Sequence, residues 1–389
     1  MRLIHTSDWH LGRSFHRVGL LDAQSGYLDH LVAVVRAEGV DAVLVSGDVY
    51  DRALPSPETV ELLSDGVTRL VDAGATVILS SGNHDSAIRL GFASDLLSRA
   101  GLHIRTSLDL LGTPVVVKDT AIYPLPYLEP SVAADRIGAD ERTHAAVLQA
   151  AMDRVRTDAR SRPGSHVVMA HAFVTGGATS QSERDISAGG VSAVHPDVFA
   201  EASYVALGHL HGPQRISETV RYSGSPIALS FSEADHRKSS VLVDVSVGAL
   251  HAETIAAPVP KPLAILRGDL ADLLRDPRYL AAESAYCQVT LTDTVRPTGA
   301  MEQLRRRFPD TLVLAFEPVG AQMIPLTSAA SVRERGDLDL CSDFLKHVRA
   351  GNAATDQERA LLATAVESSR VVRSSREDEG VATTDRGAA

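Results

Sequence analysis

Short apolar segments alternate with longer amphipathic stretches at the start of the chain. RLIHT at 2–6, AVLVS at 42–46 and TVILS at 76–80 have the length and composition of strands. Residues 24–38 between them carry apolar side chains at helical spacing, and Pro57 stands near the start of a second such stretch. The order β-α-β-α-β predicts a layered α/β domain whose sheet is at least partly parallel.

The middle of the chain has shorter strand patterns that lie closer together. A helix is predicted over 139–159, and RISETVRYSG at 215–224 predicts a hairpin. Because antiparallel pieces join the parallel ones, we expect two sheets packed together and flanked by helices. The other predicted strands are VVV at 115–117, AIYPL at 121–125, HVVMA at 166–170, YVALG at 204–208 and SSVLVDVSV at 239–247.

The pattern changes at APVPKPLAILRGDL, where prolines near 258–262 indicate a domain boundary. A strand-helix-strand-helix-strand pattern follows and predicts a small α/β or α+β unit. Two helices are predicted after a polar connector, and a polar tail without large apolar residues is predicted to be disordered. The predicted parts are therefore 1–258, 259–326, 327–369 and 370–389.

Composition places the protein among soluble globular chains. Apolar residues make up 44% and charged residues 22%, and no apolar run approaches the roughly 20 residues of a membrane-spanning helix. The start has no signal-peptide pattern, and Cys287 and Cys341 form no CxxC motif, so we expect a reduced cytoplasmic protein. The net charge of −11 argues against a broad surface for nucleic acid, but not against a local patch.

Side chains that can bind a metal ion stand immediately after five of the predicted strands. In α/β sheets the carboxyl ends of strands border the ligand-binding crevice, so we expect these side chains to converge. Carboxylate, amide and imidazole without thiolate favour Mn²⁺, Fe²⁺ or Zn²⁺. The residues are Asp8 and His10, Asp48, Asn83 with His84 and Asp85, His171, and His209 with His211.

So many candidate ligands exceed what one tetrahedral ion can hold. They suit two ions, and the carboxylate of Asp48 is the natural bridge between them. Two ions about 4 Å apart can clamp a phosphate group, which indicates phosphate-ester chemistry. Gly47, Gly82 and Gly208 precede candidate ligands, where the backbone must turn close to the site.

Each motif alone has an ordinary structural explanation. Asp8 and His10 could be a chance loop pair, GNHD could be a capped turn, and His171 could be a hydrogen-bonded core histidine. The complete ordered set after successive strands is what favours a metal site. His5, His103 and His195 are expected to be structural, whereas the roles of His16 and Asp51 stay open.

The motifs resemble a known family. DWH, GDVYD, GNHD, the single His171 and GHLH are similar to the motifs of calcineurin-like metallophosphoesterases. HTSDWHLG, SGDVYD, SSGNHDS, MAHAFVTGG, SERDISAGG and YSGSP further resemble SbcD/Mre11-type nuclease subunits of SbcCD complexes. The resemblance is close over about 1–245 and extends to the remainder only in layout.

The resemblance implies two ions, usually Mn²⁺, with Asp48 shared between them. It implies that His84 is a catalytic residue rather than a ligand, protonating the leaving oxygen or stabilising charge. Position 51 is aspartate where archaeal and eukaryotic relatives often have histidine, so its role is in doubt. The implied ligands are Asp8, His10, Asp48 and His211 for one ion, and Asp48, Asn83, His171 and His209 for the other.

The resemblance also implies fold and activity. The expected fold is α/β, a two-sheet metallophosphoesterase sandwich flanked by helices, with a small α/β capping domain at 259–326 that selects DNA structure. The expected activity is Mn²⁺-dependent two-metal phosphodiester hydrolysis: an exonuclease on double-stranded DNA ends and an endonuclease on hairpins, in DNA repair and recombination. The alternatives are a phosphoesterase acting on small phosphodiesters or phosphomonoesters, and a non-catalytic scaffold.

Partners follow from the same resemblance. The late helices are expected to bind an SbcC/Rad50-like ATPase subunit, although packing on their own domain is an alternative. A homodimer within a heterotetramer is expected, formed through early helices of the phosphoesterase domain, in a nucleoid-associated cytoplasmic location. The predicted partner-binding residues are Phe344, Leu345, Val348, Leu361 and Leu362.

Overall fold

A computed structural model of the chain describes residues 1–184, 193–319, 336–349 and 352–378. The chain divides into two compact units, Met1–Pro262 and Leu263–Ala389. This division falls four residues beyond the predicted boundary at 258, within the proline-rich stretch.

Among the described residues, the first unit contains two sheets of six strands each and a third of only two short strands, Ser14–Phe15 and Val18–Gly19. Its helices are α1 (Leu21–Glu38), α2 (Pro57–Asp72), α3 (Ala87–Leu90), α4 (Ser94–Leu97), α5 (Pro130–Ile137) and α6 (His144–Ala159). Its strands are β1 (Arg2–Thr6), β2 (Ser14–Phe15), β3 (Val18–Gly19), β4 (Ala42–Ser46), β5 (Thr76–Ser80), β6 (Leu102–Arg105), β7 (Val115–Val117), β8 (Thr120–Pro124), β9 (Ser165–His171), β10 (Tyr204–Gly208), β11 (Gln214–Arg215), β12 (Val220–Tyr222), β13 (Ser239–Ser246) and β14 (Ala249–Ala256).

Parallel strands form the centre of both sheets. The first sheet has the order β14-β13-β1-β4-β5-β6, in which β1, β4, β5 and β6 are parallel and β13 and β14 are antiparallel additions. The second has the order β11-β12-β10-β9-β8-β7, with β8, β9, β10 and β12 parallel. The parallel centre therefore brings several strand ends to one edge of each sheet.

The two sheets pack face to face between layers of helices. Leu44 and Ile78 of the first sheet lie in one buried cluster with Val167 and Met169 of the second. Helices α1 and α2 cover the outer face of the first sheet, and α5 and α6 cover that of the second. Both faces of the central strands are buried, which explains their nearly continuous apolar sequences. The predicted two-sheet α/β sandwich is confirmed.

The helix predicted over 139–159 is shorter than expected. Gly138 adopts a left-handed conformation (φ 74°) and ends α5 at Ile137. Thr143 then caps α6, because its side-chain oxygen accepts a hydrogen bond from Ala146 N at 3.2 Å. The prediction was wrong for residues 139–143, since Asp140, Glu141 and Arg142 before the cap are compatible with a helix by composition but are not helical. The strands β6 and β14 were not predicted.

The second unit contains a three-stranded parallel sheet in the part of the chain that the structure describes. Parallel pairing of consecutive strands through crossover helices makes this an α/β unit. Two further helices follow, and the second continues to Asp378, past residue 370 where the disordered tail was predicted to begin. Residues 379–389 lie outside the described residues. The elements are β15 (Leu263–Gly268), α7 (Leu270–Arg275), β16 (Tyr286–Leu291), α8 (Ala300–Arg307), β17 (Thr311–Phe316), α9 (Asp337–Val348) and α10 (Asp356–Asp378).

Helices long and apolar enough to cross a membrane are absent from the described residues.

Gly208 lies in close contact with the facing sheet. A methyl group added there would stand 1.8 Å from the backbone oxygen of Ser46 in the facing sheet. Since this oxygen belongs to a buried strand, Gly208→Ala is expected to lower the free energy of unfolding by about 1–3 kcal/mol in denaturant titrations. Gly26→Ala is the control, because Gly26 is exposed in α1 with no atom near the added methyl group. It is expected to stabilise by up to about 1 kcal/mol, and equal effects would contradict the sheet packing.

Candidate metal centre

The predicted site residues come together at the carboxyl ends of β1, β4, β5, β9 and β10. Strands from both sheets therefore contribute, although the residues span some two hundred positions of sequence. Most are almost completely buried, which is unusual for charged and imidazole groups without a partner ion. The residues that are less than 5% exposed are Asp8, His10, Asp48, His171, His209 and His211.

The backbone at the site adopts conformations that are rare outside glycine. The φ angles are 52° at Asp8, 43° at His10, 48° at Asp48 and 102° at His209. Each such residue costs on the order of 1–3 kcal/mol, and such residues cluster at functional sites. Hydrogen bonds hold the turn in place: Asp8 N donates to Gly47 O at 3.1 Å, and His10 N donates to Asp48 O at 2.9 Å. These two hydrogen bonds tie the first motif to the residues that follow β4.

Asp48 lies at the centre of the cluster, as a bridging ligand should. Its Oδ2 is 3.6 Å from His10 Nε2 and 3.4 Å from His171 Nε2, and its Oδ1 accepts a hydrogen bond from His84 N at 2.9 Å. Burial opposes ionisation, but the neighbouring His171 and His10 hold the pKa of Asp48 well below its usual value. Asp48 is therefore a carboxylate that can be shared between two ions.

His171 has one nitrogen fixed by the fold and the other directed at the cluster. Its Nδ1 donates to Ser46 O at 3.0 Å, and its Nε2 lies 2.9 Å from Asn83 Oδ1. Burial lowers the pKa of His171, but the carboxylates of Asp48 and Asp8 outweigh it and raise this pKa to about 9. The carboxylates thus require positive charge here, which a proton or a metal ion can supply.

The donors fit a divalent cation better than they fit one another. His10 Nε2 and His211 Nε2 face each other at 3.2 Å, and only one of them can donate to the other. Burial raises the pKa of Asp8 to about 6. The neighbouring side chains therefore do not supply enough positive charge to offset the burial of its carboxylate. Three groups offer oxygen and nitrogen atoms within 4.8 Å of one another, a spacing that a single ion could bridge. They are Asp8 with His10 and His211, His10 with Asp48 and His84, and Asp8 with Asp48 and His171.

His209 and Asn83 lie beside these groups rather than in them. The His209 ring is 5.4 Å from the His171 ring, and its backbone N donates to both oxygens of Asp8 at 3.0 and 3.2 Å. Burial, followed by the charge of His171, lowers the pKa of His209 to about 3, so the ring is neutral and able to bind metal. Asn83 Nδ2 is buried without a hydrogen-bond partner among the described residues.

His84 stands at the rim of the cluster. Its Nδ1 donates to Asp51 O at 2.8 Å, and its ring lies perpendicular to the His10 ring at a centroid distance of 4.7 Å. Burial lowers the pKa of His84 below 6.5. Its second nitrogen is therefore free either to bind metal or to exchange a proton with a substrate, and geometry alone allows both roles.

The residues that the sequence left open have distinct positions. Asp51 lines the site, because its Oδ1 is 3.3 Å from His10 Nδ1 and accepts a hydrogen bond from Arg13 at 2.8 Å. His16 is exposed and packs against Phe15 and Phe231, away from the cluster. Asp51 therefore supports the site through His10, whereas His16 does not contact it.

Two motif residues have structural roles. The carboxylate of Asp85 accepts hydrogen bonds from the backbone N of Val49, Tyr50 and Gly82, so part of the GNHD motif is indeed a capped turn. Trp9 is 1% exposed and donates to Thr6 Oγ1 at 3.0 Å within the core beneath the first sheet. Both residues shape the loops that carry the candidate ligands.

Four residues that contact His211 were not predicted as site residues. Ser182, Glu183, Glu233 and Lys238 all form hydrogen bonds with it. The sequence contained an indication of Ser182 and Glu183, because both belong to the SERDISAGG motif, a polar segment to which no role had been assigned. Glu233 and Lys238 gave no signal in the sequence.

Residues 1–213 match the family model described as "Calcineurin-like phosphoesterase". The chain belongs to the calcineurin-like phosphoesterase family. It is therefore a metal-dependent hydrolase, and its buried cluster is the candidate metal site of this phosphoesterase. Residues 259–349 match the SbcD_C model, described as "Type 5 capsule protein repressor C-terminal domain". Together the two matches confirm the predicted resemblance to SbcD/Mre11-type chains.

Solved structures resemble the phosphoesterase only distantly. One aligns with 11% identity and a TM-score of 0.41, covering 66% of this chain and 99% of its own. Another is TT1561 of Thermus thermophilus, with 13% identity and a TM-score of 0.39, covering 65% of this chain and 98% of its own.

Proposed function

We propose that this phosphoesterase is the Mn²⁺-dependent nuclease subunit of an SbcCD-type complex. It would cleave double-stranded DNA ends as an exonuclease and hairpins as an endonuclease, in DNA repair and recombination. The observation that carries this proposal is the match of residues 259–349 to SbcD_C directly after a phosphoesterase match. A phosphoesterase for small substrates needs no such second domain, to which we assign selection of DNA structure.

The surface beside the cluster supports an extended phosphodiester substrate. A cavity of about 590 Å³ borders Asn83 and is lined in part by Ser81, Tyr127 and Arg136. Arg184 is exposed and donates to Asn83 O at 3.2 Å, so a cation lies next to the candidate ligands. A planar guanidinium suits phosphate oxygens, and the cavity has room for a strand that continues beyond the cleaved bond.

We assign the two ions to the ligand sets that the resemblance implies. When bound, the ions would neutralise the phosphate oxygens and make a nucleophile available at neutral pH. The chain holds its ligands in strained, buried positions, so little reorganisation is needed when substrate arrives. The sets are Asp8, His10, Asp48 and His211, and Asp48, Asn83, His171 and His209.

His84 is proposed to assist departure of the sugar oxygen. Because Nδ1 donates to Asp51 O, Nε2 is the atom that can hold a proton towards the substrate. Burial disfavours the protonated ring, and a bound phosphodiester would favour it. The ring can therefore give up its proton readily as the leaving group develops charge.

The competing function is hydrolysis of small phosphodiesters or phosphomonoesters. Cleavage of a DNA hairpin and of bis-p-nitrophenyl phosphate by the Mn²⁺-loaded chain, alone and with the ATPase subunit and ATP, separates the two. We expect the hairpin to be the preferred substrate in the complex. Efficient turnover of the small diester without cleavage of any DNA would favour the alternative.

The helical pair α9–α10 is proposed to bind the SbcC/Rad50-like ATPase subunit. None of the described side chains of this pair is buried. Phe344 is 63% exposed and Leu361 is 67% exposed, while Leu345 and Leu362 are half-buried. Exposed apolar side chains of this size are typical of partner surfaces. Val348 lies in α9, but its side chain is outside the described residues.

Charge substitutions on α9 and α10 test this assignment. The double variant Phe344→Asp/Leu361→Asp is expected to weaken binding of the ATPase subunit at least about tenfold, because apolar anchors dominate such interfaces. The measurement is co-purification, followed by calorimetric titration of the two subunits. Leu280→Asp is the control, since Leu280 is also exposed and apolar but lies outside these helices. Unchanged binding by the double variant would rule out this surface.

A homodimer is proposed to form through α3 and α4. Ile88, Phe92 and Leu96 are 88%, 80% and 67% exposed on or between these neighbouring helices, and two copies could bury them together. Light scattering is expected to give a dimer for the wild type and a monomer for Phe92→Asp. Val116→Asp, on β7, is the control and should stay dimeric. A monomeric wild type would contradict the proposal.

A further inference from the structure

A buried ion pair lies directly behind one candidate ligand. Glu233 is 1% exposed and Lys238 is 6% exposed, and Glu233 Oε2 is 2.5 Å from Lys238 Nζ. Burying two charges is costly, and such pairs often contribute no net stability. The pair therefore calls for an explanation other than stabilisation of the fold.

Both members of the pair contact His211. Glu233 Oε1 lies 3.2 Å from His211 Nδ1, and Lys238 Nζ donates to His211 O at 2.9 Å. The carboxylate holds the ring, and the ammonium group holds the backbone of the same residue.

The contacts at Nδ1 determine which nitrogen of His211 faces the cluster. Ser182 Oγ donates to Glu233 Oε1, so this hydroxyl can only accept from His211 Nδ1, which is 2.7 Å away. Both partners of Nδ1 are thus acceptors, and Nδ1 carries the proton. Nε2 is left with its lone pair, and it is the atom that faces His10 at 3.2 Å.

The segment around these residues is built to keep them in place. Glu233 ends a short 3₁₀ helix, Phe231–Glu233, that Ser230 caps, and its Oε2 also accepts from Leu229 N at 3.1 Å. Lys238 Nζ additionally donates to Ser225 Oγ at 2.9 Å. Every polar group of the pair therefore has a partner, so neither charge is free to swing away from His211.

We infer that Glu233 is a positioning residue for metal binding and that Lys238 balances its buried charge. The carboxylate orients the His211 ring, fixes the proton on Nδ1 and strengthens Nε2 as an electron donor to a divalent cation. This inference rests on the proposed metal centre but not on the identity of the substrate. It predicts that Glu233 controls the affinity for the ion that His211 binds.

The test is calorimetric titration of the full-length chain with Mn²⁺. Glu233→Gln alone would leave Lys238 as an unpaired buried charge and could fail to fold. The double variant Glu233→Gln/Lys238→Met removes both charges at similar volume and is expected to keep the thermal unfolding temperature of the wild type. We expect it to bind one of two Mn²⁺ ions about 10- to 100-fold more weakly and the other normally.

The control is Asp244→Asn. It removes a carboxylate on β13 that pairs with Arg2 of the adjacent strand β1, away from the cluster. It should bind Mn²⁺ as the wild type does. A folded double variant that binds both ions with wild-type affinity would overturn the inference. DNA cleavage is measured separately: a wild type that binds two Mn²⁺ ions but cleaves no DNA would refute the proposed function and leave the inference standing.

Discussion

Asp48→Asn is expected to abolish hydrolysis of both DNA and bis-p-nitrophenyl phosphate. Asparagine keeps the Oδ1 acceptor for His84 N, so the loop can retain its shape, but it removes the charge at the centre of the cluster. Loss of a single electrostatic group in an active site costs up to about 1,000-fold in rate, and a bridging ligand should cost at least that. Initial rates at saturating Mn²⁺ measure the effect.

The same variant should show why activity is lost. Because Asp48 lies 3.6 Å from His10 and 3.4 Å from His171, both ions would lose a ligand. Equilibrium dialysis should therefore give fewer bound Mn²⁺ ions per chain. Asp65→Asn, at an exposed carboxylate on α2, should change neither quantity. Retention of more than about a tenth of the wild-type rate by Asp48→Asn would be inconsistent with a bridging role.

His84→Ala is expected to lose about 10²–10⁴-fold in rate, the usual contribution of a general acid. Unlike Asp48→Asn, it should retain both Mn²⁺ ions, because the proposed role of His84 is proton transfer rather than coordination. Rates and dialysis on the same sample separate the two roles. A leaving group such as p-nitrophenolate needs little protonation, so the loss should be smaller on bis-p-nitrophenyl phosphate than on DNA.

The second histidine near the motifs provides a control. His16→Ala should keep wild-type activity, since His16 is exposed and packs against phenylalanine rings away from the cluster. If His84→Ala lost a bound ion together with activity, His84 would be a metal ligand. The short distances from its ring atoms to those of His10 and Asp48 would allow that role. Full activity of His84→Ala with both ions bound would exclude the catalytic role altogether.

The sequence was most informative where buried parallel strands deliver the candidate ligands. RLIHT, AVLVS and TVILS are largely apolar because both faces of the central strands are covered, and polar residues directly after them mark the ends of the strands. Order along the chain then sufficed to predict that Asp8, Asp48 and His171 converge. Their contacts in the structure agree with that prediction.

Other features had no local signal in the sequence. The edge strand β14 was missed because all of its residues are exposed or half-buried, so it lacks a clear apolar pattern. The left-handed backbone of Asp8 and His10 is accompanied by hydrogen bonds to Gly47 and Asp48, which follow β4, and composition does not encode these contacts. Glu233 follows a serine in a short 3₁₀ helix and has the sequence context of a surface residue.

The number of Mn²⁺ ions bound per chain is the measurement that tests the proposed centre most directly. Equilibrium dialysis of the wild type, with Asp48→Asn beside it, needs no assumption about substrate or partner. We expect two ions per wild-type chain at saturation, held by carboxylate, amide and imidazole groups from five strand ends. A wild-type chain that binds no Mn²⁺, or an Asp48→Asn variant that binds two ions as tightly as the wild type, would contradict the proposed two-ion centre.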